Sequence, residues 1–352
     1  MISHVVNNIF PVDDKYLSKA EKHLDNLTKP KGSLGVLEKL AARMYAIGQG
    51  ERPCVEPGLI YTCAADHGVA SSGVSLFPQE VTRQMVVNFL HGGAAINVLA
   101  QSMGLDLKVV DVGVLGNDFP DHELLISRKI RQGTNDLSAG PAMAEHECRK
   151  AVELGIKLAS KAYDQGYKTL CTGEMGIGNT TSSTALFCAL LDLDPAEISG
   201  AGTGLNSKGI EHKIRMVSQA LSSNSESVES RQVMKIMASL GGLEIACLTG
   251  IILGGSWKRM NVIVDGFIST AAYVCAWKMS PDVKGYCFFS HLSAEKGHAV
   301  VVEKLGVNPV LYMDMRLGEG TGAAMAYSIL KCAADIYNKM ATFEQAGVQG
   351  SL

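Results

Sequence analysis

The sequence predicts an α/β fold with a mostly parallel, Rossmann-like sheet, helices on both faces, and a small helical domain built from the N- and C-terminal segments. After residue 57, short apolar runs rich in β-formers alternate with longer stretches of helical periodicity, which is typical of strands joined by crossover helices. The first fifty residues and the segment 322–343 instead repeat apolar residues every three or four positions, as amphipathic helices do. The length of 352 residues allows two domains.

The two chain ends are expected to form the small domain together. The N-terminal helical patterns are "LSKAEKHLDNL" and "SLGVLEKLAARMYAIG", and the turn "KPKGSLG" separates them. The C-terminal pattern, about residues 322–343, is a long amphipathic helix. We therefore predict a small helical domain of residues 1–57 and 322–352, and a large α/β catalytic domain of residues 58–321.

Six apolar runs are predicted to form the strands of the sheet. Each is short, rich in β-branched or aromatic residues, and followed by a polar or glycine-containing segment. In chain order they are "GLIYTCAAD", "LKVVDVGVLG", "YKTLCTGEMG", "NVIVDG", "YCFFS" and "PVLYMDMR".

Composition excludes several classes of partner. A formal net charge of −3 leaves no basic stripe for a nucleic acid or an anionic membrane, so neither is expected as a partner. The nine cysteines never form a CxxC pair and lie mostly in apolar segments, which indicates reduced, buried thiols of a cytoplasmic protein. The N-terminus does not read as a secretory signal. The longest apolar stretch, "LEIACLTGIILGGSW", contains Glu244 and is too short to span a bilayer.

Five acidic residues lie at or just after predicted strands. They are Asp66, Asp111, Glu174, Asp265 and Glu319. Because ligands bind at the carboxyl ends of the strands in an open α/β sheet, we expect these carboxylates to share one rim. For Asp66 and Asp111, an acid that caps a helix is an equally good interpretation. The glycines beside Glu174 and Glu319 leave space for a ligand at the backbone and favour binding for those two.

Two glycine-rich turns are candidates for a phosphate site. "TGEMGIGNTTSSTAL" leads from a strand through Gly176 and Gly178 into a helix that starts near Asn179 and Thr180. "SGAGTGLNSKGIEHK" precedes another helix; its candidate residues are Gly202, Thr203, Gly204 and Lys213. Backbone N–H groups at such helix starts can converge on a phosphate. Neither turn has the Walker or GxGxxG spacing, and tight strand-to-helix packing is the alternative for each.

The segment "SLFPQEVTRQMVVNFLHGGAAINVLA" predicts a helix that follows a proline turn. Most of its apolar face is expected to be ordinary core. The polar loop 75–79, with Ser75 and Pro78, and the helical Gln84 stand beside that apolar face. Such a mixture suits a flat aromatic ligand. The apolar face consists of Val81, Met85, Val86, Phe89 and Leu90.

The stretch "SHLSAEKGH" raises the question of a metal. His291, Glu295 and His298 have the spacing i, i+4, i+7, which would place them on one helix face. Because HExxH is absent, we expect no zinc site, and capping by Ser293 with surface packing is the preferred interpretation. The expected metal content and cofactor content are both none.

Eight motifs stand out along the chain. They are "KPKGSLG", "AADHGV", "PQEVTRQMVVNFLHGGAAINVLA", "GEMGIGNTTSSTAL", "GAGTGL", "VDGFISTAAY", "SHLSAEKGH" and "DMRLGEGTGAAMA". Together they resemble one enzyme family, the nicotinate-nucleotide:dimethylbenzimidazole phosphoribosyltransferases of cobalamin lower-ligand assembly. The resemblance runs from about Lys29 to Gly347 and is specific in combination.

The resemblance implies an activity and residue roles. The family transfers phosphoribose from nicotinate mononucleotide to 5,6-dimethylbenzimidazole, giving α-ribazole 5′-phosphate and nicotinate, and works as a homodimer. Glu319 matches the general base, and Glu174 matches a second acid across the site. Gly176, Gly178, Gly202 and Lys213 match positions around the phosphate and ribose. Asp265 and Ser293 are assigned to the ribose pocket. The full set of predicted substrate-binding residues is Ser75, Pro78, Gln84, Gly176, Gly178, Asn179, Thr180, Gly202, Thr203, Gly204, Lys213, Asp265, Ser293, Met315, Arg316 and Leu317.

The chemistry is consistent with Glu319 as a base. A carboxylate with a reference pKa of about 4.3 is a poor base toward an azole, but partial desolvation beside Met315 and Leu317 would raise that pKa. Gly318 and Gly320 are expected to let a planar ring approach the backbone. The alternative function is a nucleotide-binding regulatory module without chemistry, which would not release nicotinate. A phosphate-transferring kinase would need a Walker lysine or a metal-binding acidic pair, and neither is evident.

Overall fold

The central sheet of the computed structural model, which describes residues 1–349, has six parallel strands in the order β3-β2-β1-β4-β5-β6. This order is that of a doubly wound Rossmann sheet, and it reverses between β1 and β4. The strands are β1 (Gly58–Ala65), β2 (Asp106–Gly113), β3 (Leu125–Ser127), β4 (Thr169–Met175), β5 (Asn261–Val264) and β6 (Cys287–Phe289).

Sixteen α-helices and two 3-10 segments, Gly68–Ser72 and Pro281–Gly285, accompany the sheet within the described range. The helices are α1 (Ile2–Val6), α2 (Asp14–Asp25), α3 (Val36–Ile47), α4 (Glu80–Leu90), α5 (Ala95–Met103), α6 (Glu145–Asp164), α7 (Asn179–Leu191), α8 (Pro195–Ile198), α9 (Ser207–Ser223), α10 (Ser225–Glu229), α11 (Val233–Leu240), α12 (Leu243–Trp257), α13 (Phe267–Met279), α14 (Lys296–Leu305), α15 (Thr321–Lys339) and α16 (Phe343–Ala346).

Helices cover both faces of the sheet, as the sequence predicts. Adjacent residues of a strand point to opposite faces, and β1 shows what lies on each. The hydroxyl of Tyr61 donates to the carbonyl of Leu158 in α6 at 3.1 Å. Its neighbour Ile60 instead contacts Gly320 at the start of α15. One layer therefore contains α6 with α12, and the other contains α15 with α3 and α5.

The two chain ends meet, as expected for the small helical domain. α3 packs on α2 and on α15, and the ring of His23 hydrogen-bonds the carbonyl of Tyr337 at 2.9 Å. Leu27 and Thr342 form an antiparallel bridge. Because α15 also packs on β4 and β5, the division into residues 1–57 with 322–352 and residues 58–321 stays a prediction. Residues 350–352 of that division lie outside the described range.

Two predicted elements differ in extent. In "PVLYMDMR" only Leu311–Tyr312 (β8) is a strand, and it pairs with His291–Leu292 (β7) in a separate two-stranded sheet. The last long helix ends at Lys339, not near residue 343, because Met340 is extended and Thr342 caps a new short helix. The edge strand β3 was not predicted, since three residues give too little periodicity to detect.

The segment "LEIACLTGIILGGSW" is a core helix, α12, whose fifteen residues are buried except Trp257. Its backbone touches that of α6. A Cβ added to Gly155 would overlap the carbonyl oxygen of Cys247, and one added to Gly250 would overlap that of Val152. Glycines at this crossing let the two helices approach more closely than any other residue would allow. No helix within residues 1–349 is both long and apolar enough to cross a bilayer.

We expect Gly155→Ala and Gly250→Ala to lower the free energy of unfolding by about 1–3 kcal/mol each, because the added methyl forces two packed backbones apart. Gly48→Ala is the matched control: a Cβ there has its nearest neighbour at 3.4 Å, and the backbone φ is −75°. The measurement is the denaturant midpoint of unfolding. Midpoints for the two crossing variants equal to that of the control would contradict the close-packing argument.

Candidate active site

A cavity of about 580 Å³ opens at the carboxyl ends of the strands, beside the point where the strand order reverses. Its walls come from distant parts of the chain. The loop 74–77 and α4 form an apolar wall, the end of β4 and the glycine turns form a polar wall, and residues 291–295 with 316–319 complete the enclosure.

Glu319 lines this cavity and has an unusual backbone conformation. Its φ is +63°, and Gly318 and Gly320 have φ of +86° and +98°. The left-handed region costs a non-glycine residue roughly 1–2 kcal/mol, and such strain clusters at functional sites. The carbonyl of Glu319 accepts a hydrogen bond from the Thr62 hydroxyl at 2.8 Å. The backbone of Glu319 is thus held against β1 by this hydrogen bond.

Glu319 is 4% exposed. Its Oε2 accepts a long hydrogen bond, 3.4 Å, from the amide of Ile96 at the start of α5. Burial raises the pKa of Glu319, and the nearby charge of Asp265 raises it further. The sequence predicted this direction and attributed it to Met315 and Leu317, and that choice of neighbours stays a prediction. Leu317 is 57% exposed, and Met315 does not line the cavity.

The glycines around Glu319 have a structural requirement of their own. Both are in the left-handed region, which favours glycine. A Cβ on Gly318 would overlap Glu174 Oε1, and one on Gly320 would lie 3.0 Å from Ile60 Cγ2. The expected approach of a planar ring to this backbone stays a prediction, while the turn itself already requires both glycines.

Glu174, at the end of β4, also lines the cavity and is 6% exposed. The side-chain amide of Asn179 donates a hydrogen bond to its Oε2. Burial raises the pKa of Glu174 to about 8, and the charges of Glu244, Asp265 and Glu319 add to the effect. At neutral pH this carboxyl holds its proton, so it can donate a hydrogen bond.

Asp265 lies behind the cavity wall, not on it. Its Oδ1 accepts from the amide of Ala323 at 2.9 Å, and its Oδ2 accepts from the amide of Gly320 at 3.3 Å. Both oxygens therefore hold the start of α15, and burial raises the pKa of this carboxyl. His291 does line the cavity. Its Nδ1 lies 2.9 Å from Ser290 Oγ and 3.9 Å from Asp265 Oδ1.

The second glycine turn forms the opposite wall with a buried lysine behind it. Lys213 is 1% exposed, and its ammonium donates to the Thr180 hydroxyl at 2.9 Å. Burial lowers the pKa of Lys213 to about 8, and the charge of Glu295 opposes that shift. The guanidinium of Arg316 donates to the carbonyl of Gly202 at 3.3 Å. Two cations thus flank Gly202.

The structure brings twelve of the predicted residues to the cavity wall. They are Ser75, Glu174, Gly176, Gly178, Asn179, Thr180, Gly202, Thr203, Ser293, Arg316, Leu317 and Glu319. The other predicted residues do not line it; they are Pro78, Gln84, Gly204, Lys213, Asp265 and Met315. Their placement alone does not test the roles assigned to them.

Gln84 shows where the sequence pattern misleads. It is exposed on α4, while Val81 and Met85, taken as core, turn toward the cavity. Sequence reasoning missed Phe77, Phe267 and Ile268 altogether as lining residues. The periodicity of α4 does not show which apolar residues line a cavity, because a face that packs in the core and a face that binds a ligand have the same periodicity.

The residues considered for a metal do not share a helix face. His291 belongs to β7, whereas α14 begins only at Lys296. Burial lowers the pKa of His298 to about 3, and its Nδ1 accepts a hydrogen bond from the amide of Ser293 at 2.8 Å. Within residues 1–349, no group of three His, Cys, Asp or Glu side chains has an arrangement that could hold a metal ion.

The shared acidic rim is narrower than the sequence suggested. Asp66 accepts from the amide of Leu115 at 2.7 Å, and Asp111 accepts from that of Val114 at 2.9 Å. These two carboxylates stabilise the loop that follows β2 and do not line the cavity.

Comparison with known proteins decides the family. A family model described as phosphoribosyltransferase (DBI_PRT) matches residues 9–348. The chain belongs to this phosphoribosyltransferase family. Two relatives, both named nicotinate-nucleotide–dimethylbenzimidazole phosphoribosyltransferase, are similar over nearly their whole length. The protein of Nitratidesulfovibrio vulgaris strain DP4 is 53% identical, with 98% of this chain and 97% of the relative covered. That of Chlorobaculum parvum is 49% identical, with 97% and 96% covered.

Solved structures agree with the family assignment. The crystal structure of CobT from Thermus thermophilus has a TM-score of 0.90 and 42% identity to this phosphoribosyltransferase, and the match covers 96% of this chain and 100% of that one. The resemblance drawn from the eight motifs is confirmed, and so is the α/β fold class.

The phosphoribosyltransferase cavity combines three chemical environments. An apolar wall suits a flat ring, two glycine turns with nearby cations suit a phosphate, and buried carboxyls, Glu174 and Glu319 among them, line the same cavity. Burial raises the pKa of both, to about 8 for Glu174. Such a pair can supply a proton acceptor and a proton donor in one site.

We expect the raised pKa of Glu174 to make the protein less stable as pH rises. The folded protein keeps a proton on this carboxyl up to about pH 8, whereas the unfolded chain loses it near the ordinary value of 4.5. The contribution of Glu174 is therefore full below pH 4.5 and is lost as pH rises through 8. The glutamine of Glu174→Gln cannot titrate. The free energy of unfolding of this variant, measured relative to that of the wild type, should therefore increase between pH 5 and 8.

Denaturant midpoints of both proteins at pH 5, 6.5 and 8 measure this difference. Glu303→Gln, on the exposed side of α14, is the control and should follow the wild type at every pH. A wild-type minus Glu174→Gln difference that is constant over the range would contradict the shifted pKa.

Proposed function

We propose that this phosphoribosyltransferase transfers the phosphoribosyl group of nicotinate mononucleotide to 5,6-dimethylbenzimidazole, giving α-ribazole 5′-phosphate and nicotinate, during assembly of the nucleotide loop of cobalamin. The names of the relatives support these substrates. The observation that carries the proposal is the meeting of the buried Glu319 carboxylate with two glycine turns and an apolar wall in one cavity.

The carboxylate of Glu319 accepts the N–H proton of the benzimidazole. The opposite ring nitrogen then attacks C1′ of the ribose, and the bond from C1′ to the nicotinate nitrogen breaks. The electron pair of that bond stays on the departing pyridine ring, and the proton stays on Glu319. General-base assistance of this kind typically contributes about 10²- to 10⁴-fold in rate, and a raised carboxylate pKa makes it more effective.

Glu174 has a different task in this mechanism. Its raised pKa keeps it neutral, so it adds no second negative charge beside Glu319 and can donate a hydrogen bond to the sugar or to the departing nicotinate. Asp265 is a positioning residue, because its oxygens hold the amides of Gly320 and Ala323 and so fix the strained turn.

The remaining walls bind the two ends of the substrates. The turns at Gly176–Gly178 and Gly202 offer backbone N–H groups to the 5′-phosphate, with Lys213 and Arg316 as the nearby cations. Val81, Met85 and other apolar side chains of the cavity wall form the surface for the benzimidazole ring. This chemistry uses neither a metal nor a cofactor.

We also propose that the protein is a cytoplasmic homodimer. Unpaired thiols at all nine cysteines, seven of them buried, support a reducing compartment. The family resemblance supports the dimer, as do exposed apolar side chains near the cavity mouth, Phe77 at 52% and Leu317 at 57% exposure. Sedimentation at micromolar concentration tests the dimer, and a monomer would contradict it.

The direct test of function is incubation with nicotinate mononucleotide and a panel of bases, followed by separation of products by chromatography and mass. The panel includes dimethylbenzimidazole, other benzimidazoles, purines and phenols. Formation of α-ribazole 5′-phosphate with release of one nicotinate per product is the expected result. Binding of the nucleotide without nicotinate release would favour the alternative, a nucleotide-binding regulatory module.

Glu319→Gln should lower kcat by about two orders of magnitude or more, with little change in either KM, because glutamine cannot accept the azole proton. A purely structural role would instead cost on the order of 1 kcal/mol of stability and leave turnover per folded molecule nearly unchanged. The measurement is kcat and thermal midpoint on one preparation, with Glu303→Gln as the control. Near-normal turnover in Glu319→Gln would exclude the general-base role.

Lys213→Ala should raise KM for nicotinate mononucleotide by roughly 10- to 100-fold, since a charge-assisted hydrogen bond to phosphate contributes about 1.5–3 kcal/mol. Lys208→Ala is the control, because Lys208 is an exposed lysine on the same helix. The wild type should also use nicotinate riboside, which lacks the phosphate, far less well than the nucleotide. Equal use of both would contradict the phosphate site.

A further inference from the structure

Glu295 is a cavity residue whose carboxylate has no assigned role. It lies at the N-cap of α14, it is 8% exposed, and it lines the cavity. Among the described residues, none donates a hydrogen bond to its buried Oε1. A buried polar atom without a partner is destabilising, so a buried carboxylate oxygen in a ligand cavity points to a ligand group that donates to it.

The position of this oxygen defines what that ligand carries. Gly202 is the reference point, because the position that a Cβ would take there is 3.7 Å from Glu295 Oε1 and 3.3 Å from Lys213 Nζ. A carboxylate and an ammonium therefore lie beside the same glycine, and the ammonium donates to the Thr180 hydroxyl. A complementary ligand presents an anionic acceptor and a hydroxyl donor a few ångströms apart, as a sugar phosphate does.

The other carboxylates near the sugar position are already engaged. Both oxygens of Asp265 accept backbone amides. Glu174 accepts from the Asn179 amide, and its raised pKa keeps a proton on it at neutral pH, so toward a ligand it is a donor and not an acceptor. Glu319 is placed for the acceptor base. Glu295 Oε1 is thus the carboxylate oxygen of this wall left to receive a sugar hydroxyl, and carboxylates are common partners of ribose hydroxyls in α/β folds.

We propose that Glu295 accepts hydrogen bonds from the ring hydroxyls of the transferred phosphoribosyl group and so makes the enzyme selective for ribose over deoxyribose. The inference rests on the proposed phosphoribosyl transfer and adds a specificity determinant to it. Lys213 and Glu295 then recognise the sugar phosphate as one unit, with the lysine on the phosphate and the glutamate on the hydroxyls.

The test compares nicotinate mononucleotide with its 2′-deoxy and 3′-deoxy forms in the wild type, Glu295→Gln and Glu295→Ala. The wild type should prefer the ribonucleotide in kcat/KM over at least one deoxy form, by about 10- to 100-fold when a hydrogen bond to a charged group is lost. That preference should shrink in Glu295→Gln and further in Glu295→Ala, mainly through a loss on the ribonucleotide. Comparing ratios between proteins cancels the different intrinsic reactivities of the sugars.

Matched controls separate folding and function from selectivity. Glu303→Gln, on the same helix but exposed, should keep the wild-type ratios. Glu295→Gln has nearly the size of the native side chain, so it reports on selectivity if the alanine variant unfolds, and thermal midpoints identify that case. Calorimetric binding of ribose 5-phosphate to wild type and Glu295→Gln gives a readout without turnover, and affinity should fall in the variant.

The outcomes distinguish this inference from the proposed function. If the wild type forms no product from nicotinate mononucleotide and dimethylbenzimidazole, the proposed function fails. If it turns over, but the ribose-to-deoxyribose ratios are the same in all three proteins, the role of Glu295 is wrong and the function stands. A uniform rise in KM for every nucleotide would also overturn it, because it would show that Glu295 acts only through the charge of Lys213.

Discussion

The turn at Gly318–Gly320 lies directly on the ends of the central strands, and the rest of the site depends on that contact. A Cβ on Gly173 of β4 would overlap the carbonyl oxygen of Glu319. The same oxygen accepts from the Thr62 hydroxyl of β1, and Asp265 after β5 holds the amide of Gly320. Three neighbouring strands therefore over-determine one short turn, which is the condition under which a left-handed glutamate persists.

The cost of this arrangement is electrostatic. Glu174, Asp265 and Glu319 are all buried near one another, and burial raises the pKa of each. Three carboxyls so close together cannot all be ionised at once, and each has a different set of hydrogen-bond partners. Asp265 gains backbone hydrogen bonds, Glu174 holds a proton at neutral pH, and Glu319 accepts from the amide of Ile96. One cavity thereby holds carboxyl groups in different surroundings, as the proposed acceptor and donor roles require.

The opposite wall of the cavity contains a buried cation, and burial shifts its pKa in the opposite direction. Lys213 is buried behind the glycine turns, and burial lowers its pKa to about 8. Its hydrogen bond to Thr180 and the neighbouring Glu295 keep the ammonium in place. Because Gly202 has no side chain and a φ of +54°, the wall remains thin where these two charges meet. Glu295 lines the cavity directly, whereas Lys213 lies behind this glycine.

Local sequence determined the fold class and most of the site's motifs. Strand-like runs, helical periodicity and glycines next to acids all depend on residues within a few positions of one another, so they can be recognised without a structure. Glu174, Glu319 and both glycine turns were found in this way. The roles that only tertiary structure decided depend on contacts between distant segments. Asp265 binds the amides at the start of α15 because that helix begins beside it. Met85, and not Gln84, lines the cavity because the packing of α4 sets which of its faces points there. Glu295 Oε1 has no partner within residues 1–349 because of the residues that pack around it, and none of these three contacts can be predicted from local spacing.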